Sequence, residues 1–552
     1  MRILCYSIYE VIYKLFFVMR KEIESRIRDI VSKRYGIADI PGFSVAPPDD
    51  PAHGDYASNV ALSISKIVKR SPMEIAKEIT AQLKSRGFSN SDIASPGFIN
   101  IFIPEEALRS EMKKILTEKE GYGQSSEKKG NIQVEFISAN PTGPLTLGNG
   151  RGGFYGDVLS NVLAHQGYSV EREYYVNDAG NQVRTLGLSV KAILGVVPDD
   201  ESYYHGAHIE EWVAGHEKLV EEMPDAEELG KNVARDFLAR FIKPAVEKKM
   251  NIRFDRWTSE DNDVRENGYV DKVMEIFRAR NLVYEGDGAT WLKTTEFGDD
   301  KDRVLITSDG YPTYFFVDAA HHLETRERGI SHKINILGAD HHGYVSRIKA
   351  VADILGYEKV EWIVMQLVRL VSGGKEVRIS KRKGTFVTID ELIEEVGVDA
   401  ARYFFLERAP ETHMDFDLDL ARERSVKNPV YYVQYAHARM CSLSEKAGVP
   451  LQAGAPSAGS FELLKSPDEF SLIKKLIQFL EVVEDIAKDY HVHRLPRYAY
   501  ELARAFHNFY EKERIIGEDT KLTSARLALV QAAQIVLRNT LNLMGISAPE
   551  KM

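Results

Sequence analysis

The sequence has few cysteines and no long uninterrupted apolar run. Only Cys5 and Cys441 occur among 552 residues, and no CxxC motif is present. Neither a disulfide framework nor a thiolate zinc site is therefore predicted. Residues 1–20 are apolar and basic like a signal peptide, but Glu10 and Lys14 interrupt them and no A-x-A-like site follows. A transmembrane span needs about 20 predominantly apolar residues, so this segment is not predicted to be one.

An excess of positive charge is also missing. The formal net charge is −10, which argues against non-specific binding of nucleic acid unless basic residues cluster on one face. The hydrophobic fraction of 44% and charged fraction of 28% are those of an ordinary soluble protein with an ample core. The length predicts three or four domains, and the low cysteine content fits a reducing cytoplasm.

The first hundred residues predict a small separate domain. Met19 opens an amphipathic helix with Ile23, Ile27 and Ile30 on one stripe, so residues 1–18 are interpreted as an upstream extension or a wrongly chosen start. Helices are predicted at about 58–68 and 72–86, and a strand follows Ser95-Pro96-Gly97. The polar residues 118–130 read as a linker.

The stretch 132–157, IQVEFISANPTGPLTLGNGRGGFYGD, is the centre of the chain. It predicts a buried strand at Ile132–Ile137, a turn broken by Pro and Gly, and a helix with a glycine-rich start. The free amides and the dipole of such a helix N-terminus favour phosphate. A tight turn that merely needs small residues would explain isolated glycines equally well.

The next α/β units supply polar residues at the ends of strands. The strand Val170–Val176 ends in NDAGNQ, which is either a capped turn or part of a pocket wall. Residues of about 185–300 carry mixed-charge helices and are interpreted as an insertion with solvated faces. Strands are then predicted at Val304–Thr307, Lys333–Leu337 and Glu361–Leu370.

Two short segments of the second half suggest binding chemistry. Tyr314 and Asp318 are four residues apart and share a face if helical, which suits a guanidinium group; a core aromatic beside a surface acid is the alternative. Asp340 with His341 and His342 suggests a metal, but neighbours on a strand face opposite ways and further ligands at suitable spacing are missing, so no structural metal is predicted.

A basic segment and a helical region complete the chain. After Gly373-Gly374 the sequence RISKRKGTF forms a cationic loop, which is either functional or a solvated hairpin, and Thr388 with Glu391 forms a capping box. From Ser425 onward the pattern is helical, with Pro429 suited to a first helical position. Periodicity alone places Tyr435 and Arg439 in a helical core, but exposed members could stack on bases.

Several of these stretches together resemble the bacterial type of arginyl-tRNA synthetase, a family of class I aminoacyl-tRNA synthetases. SANPTGPL-x-x-G-x-GR-G resembles the family's ATP-binding "HIGH" element, and RISKRKGTFVTIDEL resembles its second motif, "KMSKS". HGDYASN, SPGFINIF, YYVNDAGNQ, GADHHGY and NPVYYVQYAHAR also match, in the family's order, so the resemblance covers residues 19–552. The chain departs from the pattern at Thr146 and Asn149, where the family has His, and at Arg378, where it has Lys.

The resemblance implies an α/β fold: a class I Rossmann-like parallel-sheet catalytic domain, a small α+β N-terminal domain and an all-α C-terminal anticodon-binding bundle. The domains predicted are a tRNA-contacting domain at 19–118, a catalytic domain at 119–370 with the insertion at about 185–300, a KMSKS-like loop and stem-contact region at 371–424, and an anticodon-binding domain at 425–552.

The resemblance also implies roles for individual residues. The predicted catalytic residues are Thr146, Asn149, Arg378, Ser380 and Lys381. The predicted ATP-binding residues are Gly148, Asn149, Gly150, Gly338, Asp340, His341 and Lys381. The predicted arginine-binding residues are Glu135, Asn140, Tyr314 and Asp318, and the predicted tRNA-binding residues are Tyr435 and Arg439.

The activity implied is ATP-dependent formation of arginyl-adenylate followed by transfer of arginine to tRNA(Arg), with Mg²⁺ accompanying ATP and with activation dependent on bound tRNA. We expect a cytoplasmic monomer without DNA or membrane partners. Two alternatives stay open on sequence: a degenerate synthetase that binds tRNA without efficient charging, suggested by Thr146 and Arg378, and a tRNA-independent nucleotidyltransferase, for which the C-terminal bundle would have no use.

Overall fold

The computed structural model describes residues 19–48, 50–339, 345–376, 388–447 and 460–552. These residues form two compact units. The first unit takes the described residues up to Tyr122 together with those of Arg439–Val482 and Arg504–Val536; the second takes those of Gly123–Ala438, Val483–Ala503 and Leu537–Met552. None of the helices in these ranges is long and apolar enough to cross a bilayer.

The N-terminal part of the first unit is a small α+β structure. Its four short strands form an antiparallel sheet in the spatial order Val45–Ala46, Tyr56–Ser58, Phe98–Ile101 and Asp92–Ala94. The helices that accompany the sheet are Met19–Tyr35, Val60–Val68, Pro72–Ser85 and Glu105–Glu118. Ile23, Ile27 and Ile30 are buried, so the predicted apolar stripe of the first helix is confirmed.

The second unit is built on a five-stranded parallel sheet, as the sequence predicts. In spatial order its strands are Lys359–Met365, His332–Gly338, Asn131–Glu135, Ser169–Val176 and Arg256–Ser259. The first strand in the sequence lies in the middle, and the chain adds strands on one side of it and later on the other. The strand order therefore reverses beside Asn131–Glu135, which is where ligands bind in open α/β sheets.

Three of the predicted strands differ in the structure. The first ends at Glu135 rather than Ile137, because Ile137 and Ser138 both adopt left-handed backbone angles, with φ of 66° and 37°. The predicted strand Val304–Thr307 is found as Arg303–Ile306, but in a small antiparallel sheet with Val283–Gly286 and Ala289–Leu292. The predicted strand Glu361–Leu370 is interrupted, and its second part, Val368–Ser372, pairs with Lys375–Glu376 and Met414–Asp417.

The glycine-rich helix, Leu147–His165, packs against the parallel sheet. A Cβ atom at Gly156 would lie 2.3 Å from the ring of Phe136, and one at Gly153 would lie 2.9 Å from Ile137. Glycine at these positions lets the helix approach the strand ends more closely than any other residue would. The glycines deep in this helix are therefore explained by packing.

The region of the predicted insertion is mostly helical, and one part of it, Arg256–Ser259, forms the edge strand of the parallel sheet. Gly187 and Gly230 lie where two of its helices approach most closely, since a Cβ atom at either would fall 1.8 Å from a backbone oxygen of the other helix. The helical segments are Asn181–Ile193, Ala207–Ala214, Glu217–Glu222, Ala226–Phe237, Leu238–Ile242, Ala245–Lys249, Glu260–Glu266 and Tyr269–Ala279.

The remaining elements are helical. After the insertion come Tyr314–Glu327, Val345–Leu355, Ile389–Val396, Val398–Leu406 and Leu418–Arg422. The C-terminal helices are Pro429–Lys446, Pro467–Asp489, Arg494–Lys512 and Thr520–Leu543. The predicted helical C-terminal region, including a helix that begins at Pro429, is thereby confirmed.

Candidate active site

A cavity of about 790 Å³ opens at the carboxyl ends of the parallel strands in the second unit. The cavity is lined by residues of the two strands that flank the reversal of strand order, namely Glu135 and Asn335–Gly338. Of the residues predicted from sequence, seven line this cavity: Glu135, Asn140, Thr146, Asn149, Tyr314, Asp318 and Gly338. The structure thus brings together residues that are up to two hundred positions apart.

One end of the cavity presents an aromatic ring and a carboxylate from a single helix. Thr313 caps this helix, Tyr314–Glu327, by accepting a hydrogen bond from Phe316 N at 3.3 Å. Tyr314 and Asp318 are one turn apart and both face the cavity. The predicted shared helix face is confirmed, and the cavity gains a carboxylate whose side chain is only 18% exposed.

Two histidines lie beside the carboxylate of Asp318. Nδ1 of His322 is 3.5 Å and Nδ1 of His321 is 3.9 Å from the same carboxylate oxygen of Asp318. Burial disfavours the carboxylate charge, but His322 and His321 outweigh it and hold the pKa of Asp318 well below its usual range. The carboxylate therefore stays ionised and accepts hydrogen bonds at any ordinary pH.

A second carboxylate, Glu135, enters the cavity from the end of the central strand. Its oxygens contact Nζ of Lys333 at 2.9 Å and Oγ of Ser138 at 3.1 Å. Lys333 is fully buried, and although burial disfavours its charge, Glu135 and Glu173 raise the pKa of Lys333 above its ordinary value. Glu135 is therefore an anion held in place by a buried cation.

Other polar groups of the cavity wall are either hydrogen-bonded to one another or, within the described residues, have no hydrogen-bond partner. Nδ2 of Asn177 donates to Oδ1 of Asn140 at 2.9 Å, which fixes the Asn140 amide. Among the described residues, the buried atoms of the lining that lack a hydrogen-bond partner include Gln182 Oε1, His322 Nε2 and Asn335 Nδ2. Buried polar atoms are normally paired, so these atoms mark places where a polar ligand fits. The pocket-wall interpretation of the NDAGNQ stretch is confirmed for Asn177 and Gln182.

The other end of the cavity meets the start of the glycine-rich helix. Thr146 is its N-cap residue, and Oδ1 of Asn149 accepts hydrogen bonds from Thr146 N at 2.9 Å and from its hydroxyl at 2.8 Å. A backbone amide can only donate, so the oxygen of the Asn149 side chain faces Thr146 and Nδ2 points away. The two residues that replace the family's histidines form a capping box.

The first two glycines of this helix have different surroundings. Gly148 is exposed, and a Cβ atom there would lie 3.7 Å from Thr146 Oγ1. Gly150 is buried, its N–H donates to Thr146 O at 3.0 Å, and a Cβ atom would fall 2.4 Å from Ile389. The Gly150 amide is thus used within the helix, and the lack of a Cβ atom accommodates Ile389. The assignment of Gly150 to ATP stays a prediction.

Several predicted site residues lie outside the described part of the chain. These are Asp340 and His341 of the adenosine-side loop and Arg378, Ser380 and Lys381 of the basic segment. Thr388 follows that segment and lines the cavity, and it pairs with Thr146 in an antiparallel bridge. Ile389 N also donates to Leu145 O at 3.0 Å. The chain after the basic segment is thus fixed beside the helix N-terminus.

The insertion contributes cavity residues that the sequence did not indicate. Tyr204, His205 and His208 line the cavity, and Nε2 of His208 lies 3.0 Å from Thr142 O. A Cβ atom at Gly143 would fall 2.6 Å from the same ring nitrogen. The sequence pattern around these residues is that of a charged surface helix, so no local signal identifies them.

The two predicted tRNA-binding residues lie on the helix Pro429–Lys446, and neither is part of the cavity lining. Tyr435 is partly exposed, and its ring stacks on Tyr431 with centroids 6.4 Å apart. The guanidinium of Arg439 lies 4.7 Å from the centroid of the Tyr510 ring.

Two groups of possible metal ligands surround His321. Atoms of Asp318, His321 and His322 lie within 4.8 Å of one another, and so do atoms of Glu135, Glu173 and His321. Nζ of Lys333 lies 2.9 Å from Glu135 and 3.9 Å from Glu173, so a fixed cation is already present among these groups.

Comparisons with known proteins agree along the whole chain. Family models match in order: the arginyl tRNA synthetase N terminal domain at residues 20–103, the tRNA synthetases class I (R) catalytic domain at 111–439, and the DALR anticodon binding domain at 433–552. The chain is 43% identical to the arginine–tRNA ligase of Bacillus subtilis, over 97% of this chain and 99% of that protein. It is 42% identical to that of Shouchella clausii, over 93% and 95%. The solved Thermus thermophilus arginyl-tRNA synthetase shares the fold, with a TM-score of 0.76 at 24% identity, covering 97% and 100%.

Proposed function

This chain belongs to the arginyl-tRNA synthetase family and is an arginine–tRNA ligase, and from that premise we propose which of its residues act on each substrate. Arginine and ATP form arginyl-adenylate with release of diphosphate. The terminal ribose of tRNA(Arg) then takes the arginine and releases AMP. Both steps need the substrates in one cavity, with the arginine carboxylate between the amino-acid end and the phosphate end.

Asp318 and Tyr314 bind the guanidinium group of arginine. The observation that carries this assignment is the ionised carboxylate of Asp318, held beside Tyr314 at the lining of the cavity and backed by two histidines. A guanidinium donates paired hydrogen bonds to a carboxylate and stacks on an aromatic ring. A substrate without those donors forfeits these hydrogen bonds to Asp318 and is rejected, so no editing site is needed.

Glu135 and Asn140 bind the α-amino end of arginine. Glu135 presents a carboxylate for the ammonium, and the amide of Asn140 is oriented by Asn177. Glu135 and Asp318 give the cavity anions where the cationic substrate has its two positive groups.

The start of the glycine-rich helix binds the phosphates of ATP, which enters as its Mg²⁺ complex. The amide of Gly148 and Nδ2 of Asn149 are the donors at this end, and Thr146 orients Asn149. Gly338 is assigned to the adenosine side because it lines the cavity at the end of its strand. From the sequence resemblance we assign Asp340 and His341 to the same side.

Arg378, Ser380 and Lys381 stabilise the charge that develops on the phosphates. This assignment comes from sequence, and its structural support is the pairing of Thr388 with Thr146, which fixes the chain after the basic segment beside the phosphate end. The reaction needs no covalent intermediate with the protein, so positioning and charge stabilisation account for the rate.

The C-terminal helices bind the anticodon arm of tRNA(Arg), with Tyr435 and Arg439 among the contacts. Tyr435 is partly exposed and can stack on a base. We further propose that the enzyme is a cytoplasmic monomer, and that bound tRNA is required for arginine activation.

Replacement of Asp318 tests the arginine site. Asp318→Ala is expected to lower kcat/KM for arginine by on the order of 10⁴-fold while the KM for ATP is unchanged, because only the guanidinium partner is lost. Asp309→Asn, an exposed acid in the loop before the same helix, serves as the control. Unchanged arginine kinetics in Asp318→Ala would exclude this assignment.

A further inference from the structure

A group of buried charges lies directly behind the cavity. Its centre is Glu173, which is fully buried and is not part of the cavity lining. Its carboxylate contacts Nε2 of His321 at 3.2 Å, Nη2 of Arg328 at 3.1 Å and Nζ of Lys333 at 3.9 Å, and it accepts a hydrogen bond from Thr258. One buried anion thus holds these three cationic groups, and Nε of Arg256 also lies 3.9 Å from its carboxylate.

Two of these groups reach the carboxylates of the cavity. His321 spans from Glu173 to Asp318, with its second ring nitrogen 3.9 Å from that carboxylate. Lys333 spans from Glu173 to Glu135, at 2.9 Å from the latter. Atoms of Glu135, Glu173 and His321 all lie within 4.8 Å of one another. Asp318 and Glu135 are therefore both connected to the same anchor.

The connection has little freedom to move. The side chains of His321 and Lys333 are 1% and 0% exposed, and the His321 ring stacks on Tyr175 with centroids 4.2 Å apart. Although burial and Lys333 disfavour its charge, Glu173 and Asp318 raise the pKa of His321 to about 9, so it is a cation in neutral solution. Packed buried side chains cannot change rotamer without a cost in packing.

We propose that His321 is a positioning residue that, through Glu173 and Lys333, fixes the separation of Asp318 from Glu135 and thereby selects the length of the substrate's side chain. This inference rests on the proposed arginine site, in which Asp318 takes the guanidinium and Glu135 the ammonium. The two anions of the cavity are tied to one buried anchor, so their separation is fixed. Such a cavity fits a substrate with one particular number of methylene groups between its guanidinium and its ammonium. A longer or shorter guanidino amino acid leaves one anion poorly paired.

The test compares arginine with two guanidino amino acids that differ by one methylene group. Homoarginine is longer, and 2-amino-4-guanidinobutanoate is shorter. In the unmodified enzyme each is expected to inhibit tRNA charging with a Ki at least roughly 10-fold above the KM for arginine, as one methylene group is worth about 10- to 200-fold in such pockets. In His321→Gln we expect the KM for arginine to rise about 10-fold, with the KM for ATP unchanged. The Ki of homoarginine divided by the KM for arginine is expected to approach one in this variant.

His332→Gln is the matched control. His332 also pairs with a glutamate, Glu361 at 3.0 Å, at the start of the strand that carries Lys333, but it is not part of the cavity lining. That variant is expected to keep the full preference for arginine. Should His321→Gln fail to fold, Glu173→Gln removes the anchor while preserving its size and is expected to relax the preference in the same way.

The outcomes separate this inference from the site on which it rests. An unchanged preference in His321→Gln or Glu173→Gln, with Asp318→Ala still defective for arginine, overturns the positioning role alone. Equal binding of arginine and homoarginine by the unmodified enzyme also overturns it. If Asp318→Ala retains normal arginine kinetics, the proposed arginine site itself is wrong.

Discussion

The backbone N–H of Thr146 donates to Oδ1 of Asn149 at 2.9 Å, and the Thr146 hydroxyl donates to the same oxygen at 2.8 Å. Thr146 also accepts a hydrogen bond from Asn149 N at 3.4 Å. The two positions at which the chain departs from the family's first motif are therefore partners, and the pair turns the amide nitrogen of Asn149 away from Thr146.

Loss of the Thr146 hydroxyl is expected to affect both stability and catalysis. Thr146→Ala removes an N-cap side chain, which costs about 0.5–2 kcal/mol in the free energy of unfolding. It also loosens Asn149, and a loss of about 1.4 kcal/mol of transition-state stabilisation lowers kcat about tenfold. Denaturant unfolding and steady-state charging kinetics measure the two effects. Thr146→Ser keeps the hydroxyl and is expected to match the unmodified enzyme, whereas equal defects in both variants would contradict the capping role.

Restoring the family's histidine is expected to lower the turnover of this enzyme. A histidine at position 146 has no hydroxyl to cap the helix or to hold Asn149, and it must fit where Thr146 pairs with Thr388. Charging rates of Thr146→His compared with the unmodified enzyme at saturating substrates measure the effect. A higher rate in the variant would mean that Thr146 is a tolerated defect rather than part of a rebuilt helix start.

Alanine at Gly148 and at Gly150 should separate binding from packing. At Gly150 the added Cβ atom meets Ile389 at 2.4 Å, so we expect a loss of about 1–3 kcal/mol in the free energy of unfolding. At Gly148 the nearest atom is 3.7 Å away, so stability should be unchanged or slightly higher while the KM for ATP rises. Thermal unfolding and ATP titrations distinguish the two variants, and an opposite pattern would reverse the roles assigned to these glycines.

Local patterns explain why parts of the site were predictable from sequence. The spacing of Tyr314 and Asp318 by one helical turn places both on one face of their helix, and both line the cavity. The capping box at Thr388 and Glu391 is likewise set by residues three apart, and the structure contains it. Features that depend only on residues close together in the sequence can therefore be predicted without knowledge of the tertiary structure.

Features that depend on distant partners were not predictable. Glu173, His321 and Lys333 come from separate strands and a helix, and each looks in sequence like an ordinary charged residue of an α/β unit. They form a connected group of buried charges only when the folded sheet brings them together. The packing of Gly150 against Ile389 could not be foreseen for the same reason, because Ile389 is more than two hundred residues away in the chain.

The stability of the folded enzyme should depend on pH through His321. Its pKa is raised from 6.5 to about 9 by Glu173 and Asp318 against the effect of burial, so its stabilising contribution is complete below pH 6.5. Between these values the folded state keeps a proton that the unfolded state releases, so the free energy of unfolding falls as pH rises. The slope from this one group is at most about 1.4 kcal/mol per pH unit.

Comparison with His321→Gln isolates this contribution, because Glu173, Asp318, Glu135 and Lys333 surround position 321 in both proteins. Urea unfolding of the two proteins at several pH values between 6 and 9.5 gives the difference in their free energies of unfolding. We expect that difference to shrink steadily above pH 6.5 and to level off above about pH 9, since the unmodified protein loses the cation that the variant never had. A difference that stays constant across this range would mean that His321 is neutral in the folded enzyme, and that Lys333, Arg328 and Arg256 balance the charge of Glu173 without it.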